Sequence, residues 1–179
     1  MTILCIGDSL TYGYGVGRPQ TWCSLVSTLT GHDIVNHGVN GATTGEMLEQ
    51  PLFGDAVFIM GGLNDLFMGM PVSTPLTMIR QICENARKAG IRPAVGIPMP
   101  VSTDIDEAWC DGPVDMDIVR TSYEEFAEKL LFQCREDGIE TLDLRPLYSP
   151  SLFLFDGIHL NRAGHQCVAE AMAAFCQHL

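Results

Sequence analysis

A short apolar run near the start of the chain, Ile3-Leu4-Cys5-Ile6, leads directly into Gly7-Asp8-Ser9-Leu10. A serine held where a buried strand breaks into a glycine-containing turn is placed to attack, provided that a base can take its proton. Near the other end, Asp156-Gly157-Ile158-His159 offers that base. A turn there can point both side chains the same way, so that the carboxylate holds one imidazole nitrogen and leaves the other for the serine. This is the division of labour of a Ser-His-Asp triad, whose members are recognised by role and not by chain order. Taken singly, each group has a plainer reading: Ser9 as an ST-turn or helix N-cap, Asp156 and His159 as caps of the last helix.

Acyl transfer by such a serine also needs donors aimed at the developing oxyanion. The backbone N–H of Ser9 is one candidate. Gly41, in Asn40-Gly41-Ala42, is a second, because no side chain blocks approach to its N–H. The side-chain amide of Asn64, in Gly62-Leu63-Asn64-Asp65, is a third. Their plainer readings are a turn with positive φ for Gly41 and an Asx-turn for Asn64. Leu10 and the run Leu66-Phe67-Met68 behind Asn64 are candidates for contacting a substrate, with core filling as the alternative.

Several elements must position these residues. Strand-like runs cover Thr2–Ile6, Asp33–His37, Ala56–Met60, Ile91–Ile97 and Ile139–Leu142. Between them, apolar stripes recur at helical spacing: Leu76, Ile79, Cys83 and Ala86 in one stretch, and Val119, Tyr123, Phe126, Leu130 and Cys134 in another. A last helix opens near Asn161, a good N-cap, and turns Val168, Ala171, Met172 and Phe175 inward. Strand alternating with helix predicts an α/β chain with a parallel sheet covered on both faces. In such sheets ligands bind outside the carboxyl ends of the strands, where Ser9, Gly41, Asn64 and the segment from Pro98 onward all fall.

Composition narrows the function classes. At 179 residues, 46% of them apolar, the chain fits one globular domain over 1–179. The net charge of −12 speaks against nucleic acid and against docking on an anionic bilayer. No apolar run approaches the roughly 18 residues of a membrane span, so no stable membrane insertion is expected. The seven cysteines are scattered without a CxxC pair, and no signal peptide is visible; both suit reduced thiols in a cytoplasm. The five histidines show no zinc spacing. From Met99 to Val119 there are six acids (Asp104, Asp106, Glu107, Asp111, Asp115 and Asp117) and no Lys or Arg. A solvated loop leading into a helix is the expected form, since the spacing does not match an EF-hand. No pattern specifies an oligomeric state.

Gly7-Asp8-Ser9-Leu10, Gly41, Gly62-Leu63-Asn64-Asp65 and Asp156-Gly157-Ile158-His159 together resemble the four sequence blocks of the SGNH, or GDSL-type, hydrolase family, and occur in the family's order. The resemblance implies a flavodoxin-like three-layer αβα sandwich with a five-stranded parallel sheet, and neither metal nor cofactor. It implies Ser9 as nucleophile, His159 as general base and Asp156 as the group orienting it. Ser9, Gly41 and Asn64 become the oxyanion hole. The family holds esterases, lipases, thioesterases, lysophospholipases and carbohydrate acetylesterases. If the acidic 99–119 stretch folds over the site it disfavours anionic substrates, which points to small neutral or short-acyl esters such as acetylated sugars.

The competing class is a flavodoxin-like module that binds a nucleotide or phosphorylated ligand without catalysis. It calls for cations near the strand ends, yet Arg18 is the only Lys or Arg before Arg80. Gly13-Tyr14-Gly15-Val16-Gly17 misses a dinucleotide fingerprint, because Arg18 stands where its third glycine belongs. His165, near the start of the last helix, is expected to be structural or superficial, not a second base.

Overall fold

The computed structural model describes residues 1–102 and 114–179. Asp104, Asp106, Glu107 and Asp111 lie outside the described residues, and so does the expectation that the acidic stretch covers the site. Five strands form one sheet: β1 (Thr2–Gly7), β2 (Asp33–Gly38), β3 (Ala56–Met60), β4 (Arg92–Ile97) and β5 (Glu140–Asp143). Their spatial order is β2-β1-β3-β4-β5 and every neighbouring pair is parallel. The apolar runs are strands because helices cover the sheet on both faces, which leaves its central strands no solvated side. Every residue of β3 is at most 1% exposed. Each large aliphatic or aromatic side chain buried there contributes about 1.5–3 kcal/mol.

The helices are α1 (Ser9–Tyr12), α2 (Trp22–Thr30), α3 (Thr44–Leu48), α4 (Leu63–Phe67), α5 (Ser73–Lys88), α6 (Met116–Glu136) and α7 (Arg162–Phe175). One group pairs α2 with α7; the other joins α5 to α3 and α6, and α4 to α6. The α6 stripe from Val119 to Cys134 is buried as its spacing requires, with Phe126 and Leu130 fully enclosed. On the α2/α7 side, Trp22 and Phe175 each meet Phe58 of β3 edge-on, with ring centroids 5.8 and 6.2 Å apart. Asn161 caps α7 as expected, its side-chain oxygen accepting from the N–H groups of Ala163 and Gly164. Asp115 caps α6, so this helix begins inside the acidic stretch.

Two strands start one residue later than the sequence expectation, and β1, β2 and β5 each end one residue later. Ile91 and Ile139 precede their strands, because their N–H groups donate to Ala86 and Cys134 and close the turns that end α5 and α6. Both are buried, so their apolar character belongs to the helix-to-strand turn. At the other end of the sheet the register pairs Gly7 of β1 with Gly38 of β2 and with Met60 of β3. These three strands therefore end level, and the loops that follow them meet at one edge. Because the chain leaves β1 for β2 on one side and β3 lies on the other, this edge is the topological switch point where open α/β sheets bind ligands.

Candidate active site

Ser9 is the first residue of α1, immediately beyond β1. The plainer reading of Ser9 as a helix cap is not met: Asp8 is the cap, its carboxylate accepting from the Leu10 N–H at 2.9 Å. Ser9 is thereby left with its hydroxyl free for another partner while only 9% of its surface stays exposed. Asp8 is itself buried, and burial pushes its carboxyl up to about 7; the Leu10 hydrogen bond works against this, and the nearby Asp65 carboxylate adds to it.

His159 arrives from a small hairpin. Phe153 and Leu160 form an antiparallel bridge, the Leu154 N–H donates to the His159 carbonyl at 2.7 Å, and the Asn161 N–H donates to the Leu152 carbonyl at 2.9 Å. The Ser102 N–H, beyond β4, donates to the Gly157 carbonyl at 2.8 Å and ties the hairpin tip to the sheet edge. Inside the tip, Asp156 Oδ1 accepts from the N–H groups of Ile158 and His159, each at 2.9 Å. Its other oxygen, Oδ2, lies 2.7 Å from His159 Nδ1. Across the site, His159 Nε2 lies 2.8 Å from Ser9 Oγ. Burial works against charge on Asp156, but the bonds from the His159 backbone and ring and from Ile158 outweigh it and hold the carboxyl below its usual value. An ionised Asp156 fixes the proton on Nδ1 and leaves Nε2 as an acceptor towards Ser9.

Gly41 and Asn64 sit on the loops after β2 and β3, and the structure ties those loops together. Asn64 Nδ2 donates to the Ala42 carbonyl at 2.9 Å. Asp65 accepts from the Thr44 N–H at 3.0 Å and from the Thr44 hydroxyl at 2.6 Å. Gly41 has φ +76°, a left-handed conformation, and a Cβ built on it would meet nothing within 4 Å. With no side chain of its own, Gly41 leaves that space beside its backbone open. An amide nitrogen carries two protons, so Asn64 keeps one donor after serving Ala42.

The four residues expected to contact substrate divide into two pairs. Leu10 and Leu66 are 6% and 3% exposed and belong to the core, because their helices turn them inward. Phe67 is half-buried against that core, and Met68 is 65% exposed at the end of α4. His165 is structural: it is buried, its Nδ1 accepts from the Trp22 N–H at 3.2 Å, and burial pushes it down to about 4.

Sequence reasoning missed two features. One is the Asp8–Asp65 pair, two buried acids each adjoining a site residue; their positions inside the Gly7–Leu10 and Gly62–Asp65 blocks were the available signal. The other is Tyr14, whose ring stacks on His159 with centroids 4.4 Å apart. No signal in the sequence joins those two positions. Among the described residues no cluster of three or more His, Cys, Asp or Glu could hold a metal ion. No helix among them is long and apolar enough to cross a membrane.

Solved structures share this fold. The fold is similar to that of the native M. smegmatis aryl esterase, with a TM-score of 0.85 at 18% identity over 99% of both chains. A member of the lipolytic protein G-D-S-L family from Veillonella parvula DSM 2008 matches with TM-score 0.81 at 20% identity over 100% of both chains. Est24, a carbohydrate acetylesterase from Sinorhizobium meliloti, matches with TM-score 0.79 at 20% identity, covering 99% of this chain and 98% of that one. No curated protein sequence matches the chain significantly. The model of the GDSL-like lipase/acylhydrolase family matches residues 5–167, a span that runs from β1 through His159 into α7, and the chain belongs to that family.

Proposed function

We propose that the protein is a serine esterase that cleaves small neutral or short-acyl carboxylic esters, acetylated carbohydrates among them. The observation that carries this reading is the hydrogen-bonded line from Asp156 Oδ2 through the His159 ring to Ser9 Oγ, at 2.7 and 2.8 Å. In the first step His159 Nε2 takes the Ser9 proton as Oγ attacks the ester carbonyl, and Asp156 steadies the imidazolium that forms. The oxyanion is met by the N–H groups of Ser9 and Gly41 and by the Asn64 amide. Collapse passes the proton from His159 to the departing alkoxide and leaves an acyl-Ser9. Water, giving its proton to the same nitrogen, then releases the acid.

Charge favours a neutral substrate. The chain carries −12, and the carboxylates of Asp65 and Asp156 lie buried at this edge of the sheet. Like charge weakens the approach of thioesters of coenzyme A and of lysophospholipids, the thioesterase and lysophospholipase alternatives. The neutral reading also fits two structural relatives, an aryl esterase and a carbohydrate acetylesterase. A non-catalytic binding module leaves the Ser9–His159–Asp156 line without a purpose. The test compares kcat/KM for p-nitrophenyl acetate and acetyl-CoA at low salt, with Ser9→Ala as the blank. Preference for the neutral ester, abolished in the blank, is expected; preference for acetyl-CoA overturns the substrate class, and undiminished turnover by the blank overturns the mechanism.

A further inference from the structure

The glycine-rich run from Gly13 to Gly17 has no part in the chemistry above, yet it is packed against it. The N–H groups of Gly13 and Tyr14 both donate to the Ser9 carbonyl, at 3.0 and 3.1 Å, so the run hangs from the residue that carries the nucleophile. Gly15 then passes the hairpin that carries His159. It has φ +83°, and a Cβ there would lie 2.3 Å from Leu154 Cδ1, so only glycine allows this approach. Leu154 in turn donates its N–H to the His159 carbonyl. Between these two anchors the Tyr14 ring lies on His159, centroids 4.4 Å apart and planes inclined by 40°. The His159 side chain is only 14% exposed.

We infer that Tyr14 is a positioning residue for the reaction, its ring holding the His159 imidazole in line between Asp156 and Ser9 and facing the positive charge that develops on it in the transition state. The inference rests on the triad reading proposed above. Asp156 fixes the imidazole at one nitrogen and Ser9 meets the other, but hydrogen bonds in the ring plane leave rotation about that line to be limited by packing on a face. Tyr14 supplies that packing. The ring carries partial negative charge on its face, and a cation within about 6 Å of its centroid is attracted to it. His159 is cationic only while it holds the Ser9 proton, so the attraction grows from ground state to transition state. Such an interaction raises kcat and leaves KM nearly alone. The run from Gly13 to Gly17 is thereby a strap that couples the nucleophile's turn to the base's hairpin.

The test uses the full chain with Tyr14→Phe, Tyr14→Trp and Tyr14→Leu, assayed with p-nitrophenyl acetate. Leucine fills space and shields the imidazole but has no aromatic face. Tyr14→Leu should lower kcat about 5- to 30-fold, the value of a partly desolvated cation–π contact, with KM changed by less than about twofold. Tyr14→Phe and Tyr14→Trp should keep kcat within about twofold of the parent. Because Tyr14 is half-buried, the melting temperature should move little in all three, and a fluorophosphonate adduct on Ser9 should still form. Full kcat in Tyr14→Leu overturns the inference. So does an equal loss in Tyr14→Phe, which would assign the effect to the hydroxyl, or a rise in KM alone, which would make the ring a substrate contact. Failure of the triad reading is separate: it would appear as activity that survives Ser9→Ala, whatever the Tyr14 variants do.

Discussion

Replacing Asp156 by asparagine isolates the electrostatic half of the proposed triad from its geometry. Asp156 accepts three hydrogen bonds: two backbone N–H groups at Oδ1, both 2.9 Å, and His159 Nδ1 at Oδ2, 2.7 Å. In Asp156→Asn the amide oxygen can keep the two backbone bonds, so the hairpin tip retains its turn. The amide NH2 then faces Nδ1, which must accept instead of donate. The ring proton moves to Nε2, the nitrogen 2.8 Å from Ser9 Oγ, and that nitrogen can no longer take the serine proton. The equivalent substitution in a serine protease triad, with geometry intact, lowers kcat about 10⁴-fold. At 1.36 kcal/mol per decade that is about 5 kcal/mol of transition-state stabilisation. The assay is p-nitrophenyl acetate turnover beside a thermal melt. A melting temperature near the parent's with kcat down by about three to four decades is expected. If kcat stays within about tenfold of the parent in a folded variant, Asp156 does not set the tautomer and the reasoning fails.

Two further predictions follow from the surrounding groups. Asn64→Ala removes a proposed oxyanion donor and should lower kcat about 10²–10³-fold with a smaller effect on KM, whereas unchanged kcat would reduce Asn64 to its structural bond with Ala42. Asp8→Asn tests the buried acid beneath Ser9. With its carboxyl raised to about 7, the folded protein holds this proton more tightly than the unfolded chain, where aspartate titrates near 4. Asp8 therefore makes stability fall as pH rises from about 4 to about 7, by up to roughly 4 kcal/mol, and the penalty is complete above that window. Asp8→Asn abolishes this slope, so its melting temperature should gain on the parent's between pH 5 and pH 8. Parallel curves for the two proteins would remove the buried-acid argument.

The sheet was legible because its central strands are short apolar runs: β3 has its expected bounds, and β1 starts where expected and runs one residue further. Misplaced starts at Ile91 and Ile139 have one cause: a buried isoleucine that closes a helix looks, in sequence, like the first residue of a strand. The brief helices α3 and α4 carry too few turns to show a stripe. Within the site, the juxtaposition of Ser9, Asp156 and His159 could be expected from type and local setting, since a nucleophile needs a base and a base needs an orienting acid, and the three side chains do meet. Leu10 and Leu66 could not be sorted from substrate contacts, because a leucine beside a catalytic block is apolar whether it faces the core or the cleft. Tyr14 was out of reach for another reason. Its contact with His159 is made by two distant segments and depends on how the Gly15 turn lies against Leu154.

The central claim is that Ser9 becomes covalently acylated with His159 as its base. Incubation with a fluorophosphonate, followed by mass spectrometry of the peptides, tests it most directly. One adduct per chain is expected on the peptide holding Ser9, absent in Ser9→Ala and formed far more slowly in His159→Ala. An adduct located elsewhere, or ester hydrolysis that persists in protein carrying no reactive Ser9, would contradict the account.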